Sequence, residues 1–86
     1  MEAEKAGKIE ELKRIVMIRE RDLADAFENL TKIATLIERE TVESKRWELL
    51  GRLRAAEAVF FSAVGKLLGS YRAYTTALEK QLGIRR

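Results

Sequence analysis

Residues 50–71 read LGRLRAAEAVFFSAVGKLLGSY, and two interleaved ladders within them decide the fold. The tiny residues Gly51, Ala55, Ala58, Ser62, Gly65 and Gly69 step by four and three, so on an α-helix they share one face. The large residues Leu50, Leu53, Phe60, Val64 and Leu67 keep the same phase on another face, and Tyr71, Tyr74 and Leu78 prolong it. One helix therefore carries a bulky packing surface and a smooth one along which a second backbone can approach closely. From Ala55 to Gly65 the only charge is Glu57. A helix apolar nearly all round is buried nearly all round, which a lone pair of helices does not achieve. The pattern predicts assembly.

Working outward toward the start of the chain, Ile9, Leu12, Val16, Arg19, Leu23, Ala26, Leu30, Ile33 and Ile37 step by three and four without a miss, and Arg19 alone among them is not apolar. This predicts an amphipathic first helix from about residue 3 to about 40. Flanking Ile15, Phe27, Ala34 and Leu36 widen the stripe beyond a two-stranded seam toward a bundle. The second helix is expected from about 43 to about 82, followed by a basic tail over 83–86. The turn between them, about 41–44, holds Thr41 and Ser44 as candidate N-caps; Thr41 would place Glu43 in the first turn, where a carboxylate suits the helix dipole. A variant of this reading breaks the second helix at Gly65 and Gly69 and starts a short third helix at Ser70. The fold class is thus all-α: an antiparallel two-helix hairpin in a single domain, associating as a four-helix bundle.

Charge is divided along the chain. Residues 1–43 carry 8 Lys and Arg against 11 Asp and Glu, net −3, whereas residues 44–86 carry 9 against 3, net +6. An acidic first helix laid along a basic second one gains orientation and partner choice more than stability. A second reading gives Lys45, Arg46, Arg52, Arg54, Arg85 and Arg86 to nucleic-acid phosphates, with Trp47 beside them. Within the ladders, Arg19 and Glu57 are the charged interruptions, and we expect them to pair, inside one chain or across a dimer, and so to set register.

Composition narrows the chemistry. The 86 residues contain no Cys, His or Pro, which removes disulfides, thiolate metal sites, the commonest general base and the commonest metal ligand. No Gly-rich phosphate loop, zinc-protease helix motif or nucleophile elbow is present. The expectation is a non-enzyme without cofactor or metal, and a small helical enzyme built on Arg19 and Glu57 ranks third. No apolar run nears the roughly 20 residues of a membrane span. Met1-Glu2-Ala3-Glu4-Lys5 lacks the pattern of a signal peptide, so a cytoplasmic protein is expected.

Three local resemblances accompany these readings. The size and helical character resemble chorismate mutase, which implies electrostatic positioning of a dianion, although only Arg19 corresponds to that family's cationic set. Trp47 and Gly51 near the turn, with Tyr74 and Glu79 beyond, look like the helical-hairpin WXG secretion substrates, which implies a dimeric bundle; both spacings depart from that family's pattern. Leu53-Arg54-Ala55-Ala56-Glu57-Ala58-Val59 is similar to one helix of small type III secretion co-chaperones, over about a tenth of the chain. The function expected from the residues themselves is that of an assembly or adaptor protein. It would bind a second copy of itself or another helical protein through the Gly51–Gly69 face.

Overall fold

A computed structural model describes residues 2–83, with the backbone alone for residues 2–6. Two helices make up the fold: α1 (Glu2–Arg39) and α2 (Glu43–Leu82). All nine positions of the α1 ladder, from Ile9 to Ile37, are buried or half-buried, and Val16 and Ile33 are 4% and 5% exposed. The flanking Ile15, Phe27 and Leu36 remain exposed, so the stripe that meets α2 is narrower than the apolar stripe in the sequence.

On α2 the contact seam runs Leu49, Leu53, Ala56, Phe60, Ala63, Leu67, Ser70, Tyr74 and Ala77, all buried or half-buried and stepping by four and three. Every seventh residue in it from Ala56 onward is small, which admits α1 closely; Ala56 itself is 5% exposed. Leu50, Glu57, Val64 and Leu78 flank this seam, half-buried, while Tyr71 in the same row is 42% exposed. Contacts between the helices include Phe27 with Phe60 and Glu20 with Tyr71. The molecule is a helical hairpin.

Three residues, 40–42, connect the helices. Neither Thr41 nor Ser44 caps α2: the N-cap is Val42, at φ −83° and ψ 117°, whose side chain makes no capping bond. Instead Glu40 Oε1 accepts the Val42 N–H at 3.1 Å, and the Glu40 N–H closes α1 on the Leu36 carbonyl at 3.0 Å. Glu43 does stand in the first turn of α2. At the other end Gly83 adopts the left-handed conformation, φ 75°, and its N–H reaches the Glu79 and Lys80 carbonyls, a glycine C-cap of the usual kind.

The short third helix does not form among the described residues: α2 is unbroken through Gly65 and Gly69. Both glycines lie on the exposed side, so neither interrupts the seam that holds the helix to α1. Ser70 does not cap a new helix; its Oγ donates to the Lys66 carbonyl at 2.9 Å, the back-bond of a helix-interior serine.

The two helices lie side by side in one layer, 63 × 24 × 13 Å, with a radius of gyration of 19.1 Å where a compact chain of this length has about 12 Å. Accessible surface is 7114 Å², roughly 1,900 Å² more than the size rule for compact monomers gives at 9.9 kDa. Three hydrophobic side chains are buried among the described residues, against twelve large ones exposed.

Candidate interaction surface

The smooth stripe runs along the flank of α2 outside the seam, where Ala58, Ser62 and Gly69 border shallow grooves shared with α1. Gly51, Ala55, Ala58, Ser62, Gly65 and Gly69 are all exposed, and a Cβ built on Gly51, Gly65 or Gly69 meets nothing within 4 Å. No intrachain contact accounts for these three glycines. Each costs about 0.5–1 kcal/mol in a helix interior relative to alanine.

A second exposed surface went unrecognised in the sequence. Phe27 of α1 stands 6.0 Å from Phe60 of α2, ring centre to ring centre, and Phe60 stands 5.9 Å from Phe61 in an edge-on arrangement. Phe27 is 53% and Phe61 67% exposed, so this aromatic trio opens onto one flat side of the hairpin. Helix periodicity adds Val64 and Leu68 to that side, one turn from Phe60 and two from Phe61 respectively, and Leu68 is also exposed. Farther along it, the Tyr71 hydroxyl donates to Glu20 Oε1 at 3.1 Å. That hydrogen bond, with the nearby carboxylate charge and slight desolvation, raises the Tyr71 phenol above its ordinary value of 10.0.

Arg19 and Glu57 are not joined within the chain. Arg19 Nη1 approaches Asp22 Oδ2 at 4.0 Å, and the two line a shallow groove with Val59, Ser62 and Lys66 of α2. Glu57 belongs instead to the Leu50, Val64 and Tyr71 row, on the aromatic side. Because Glu20 meets Tyr71, Arg19 lies level with α2 residues beyond Ser62, more than a turn from Glu57. Lys32 and Glu28 form an ion pair at 3.2 Å on the surface of α1.

Lys45, Arg46, Arg52 and Arg54 are exposed; Arg85 and Arg86 lie outside the described residues. Trp47 is 66% exposed and lines a groove with Ile37, Arg46 and Leu50 beside the turn. Toward the far end, a groove of about 580 Å³ has Ile9, Leu12, Ala73 and Ala77 in its apolar lining and Lys8, Arg72 and Lys80 as its charged residues. None of its lining residues is acidic. Among the described residues no group of three or more Asp and Glu is placed to hold a metal ion, and no helix is long and apolar enough to cross a membrane.

No protein-family model, curated protein or solved structure matches the chain, so none of the three resemblances gains support from such a comparison.

Proposed function

We propose that this chain is a non-catalytic helical assembly or adaptor protein, an antiparallel hairpin that completes its core against a second copy of itself or a partner helix as a four-helix bundle. One observation carries the reading: among the described residues the hairpin leaves twelve large hydrophobic side chains exposed and buries three. The surplus of roughly 1,900 Å² exceeds the ~800 Å² that each partner contributes to a stable interface. The opposed contacts, Phe27 with Phe60 and Glu20 with Tyr71, support the antiparallel course. The Gly51–Gly69 stripe supplies a face on which another helix can sit with its backbone close.

Solution mass by light scattering across a dilution series tests this. A species of twice the chain mass that dissociates on dilution is the expected result, and a monomer at every concentration overturns self-association.

A second reading rests on the exposed cations Lys45, Arg46, Arg52 and Arg54, which an acidic polymer can reach without displacing any observed ion pair. Binding to nucleic acid through them would weaken steeply as salt rises. Apolar helix packing would not.

A further inference from the structure

The hairpin offers two surfaces, and they are not equivalent as places for a second copy. Contact along the outer edge of the stripes would bring α2 against α2, and α2 carries 7 Lys and Arg against 4 Asp and Glu, net +3. Stacking the flat aromatic side on its own copy instead allows α1 of one molecule to lie over α2 of the other. A helix of net −1, with 8 Lys and Arg against 9 Asp and Glu, then faces one of net +3 twice. We infer that the second copy seats on the aromatic side, centred on Phe27, Phe60 and Phe61, and that the Gly51–Gly69 stripe stays outside this contact. The inference rests on the reading that the chain self-associates, and it names the interface.

Symmetry makes the geometry specific. A two-fold axis along the rod keeps every residue at its own level, and Phe27 is level with Phe60 because their rings touch at 6.0 Å. Phe27 of one copy therefore comes over the Phe60–Phe61 pair of the other, and the reciprocal contact follows. Six rings then meet at the middle of the interface, flanked by Val64 and Leu68 on one side and by the half-buried Glu57 on the other. Rings in edge-on and tilted arrangements, as already seen within the chain, suit a desolvated centre of this kind. The available surface is sufficient, since a flat side of 63 × 24 Å exceeds the ~800 Å² that a stable dimer asks from each partner.

The test compares wild type, Phe61→Glu and Ala58→Leu by light scattering across dilution, with helical circular dichroism to establish that each is folded. Phe61 is 67% exposed and Ala58 is exposed, so neither substitution removes a contact buried within the hairpin. Phe61→Glu is expected to raise the dimer dissociation constant roughly 100-fold or more, because the change enters twice through the symmetry. Ala58→Leu is expected to leave it within about threefold. If Ala58→Leu dissociates the dimer, alone or together with Phe61→Glu, the stripe takes part in the self-interface and the inference fails while self-association stands. A dimer indifferent to both substitutions overturns the inference too. A wild type that is monomeric throughout overturns the underlying reading itself.

Discussion

Glu20 and Tyr71 are joined by one exposed hydrogen bond between helices, and its consequence is a pH dependence of definite sign. The neutral phenol donates to the carboxylate, whereas a tyrosinate would be repelled by it, so the phenol is raised in the folded chain. A group whose folded value lies above its unfolded value stabilises fully below the unfolded value. That contribution is present below pH 10.0 and is lost as pH climbs through the higher folded value. We expect Glu20→Gln to lower the midpoint of the late tyrosinate absorbance rise; superimposable titrations of variant and wild type would show the tie to be without effect. The residue pattern did place Tyr71 on the bulky ladder, but it did not reveal the bond. That depends on how far one helix is slid along the other, and residues 51 apart in sequence give no local sign of it.

At the scale of the elements, α1 is legible in the sequence and α2 only along one edge of its seam. Of its large-residue ladder, Leu53, Phe60, Leu67 and Tyr74 lie in the seam, whereas the row of Leu50, Val64, Tyr71 and Leu78, which Glu57 interrupts, does not. The contact instead turns by about one residue to Leu49, Ala56, Ala63, Ser70 and Ala77, leaving that row at the margin. Small residues at the contact were hard to tell from those of the outer stripe, since both repeat at helical spacing and size alone does not say which side meets a partner. The aromatic side escaped notice for a related reason: Phe27 and Phe60 lie on different helices, and only the register brings them together. The α2 start also departs from expectation, because Glu40 in the connection accepts the Val42 N–H while neither Thr41 nor Ser44 caps the first turn. Val42 already has the extended conformation of an N-cap but no side-chain oxygen. Val42→Asp should therefore stabilise the hairpin by about 1 kcal/mol, read as a higher urea midpoint at unchanged slope. A lower midpoint would mean that the Glu40 carboxylate leaves no room for a second acceptor.

As a whole molecule, the hairpin is a single layer whose shape was implied by two long ladders and a short turn, while the identity of whatever covers it was not. Its sparse interior has a calorimetric consequence. Heat capacity rises on unfolding chiefly because apolar surface enters water, and an ordinary globular chain of this length shows about 1–1.3 kcal/mol/K. With Val16, Ile33 and Ala56 as the buried hydrophobic residues among those described, the isolated hairpin has far less apolar surface left to hydrate. Scanning calorimetry of a dilute, dissociated sample should give a heat-capacity step well under that value; a full-sized step would contradict the exposed surface described above. A small step flattens the stability curve, so the separated hairpin should lose little stability on cooling, whereas a closed bundle would regain the strong curvature of a protein with a true core.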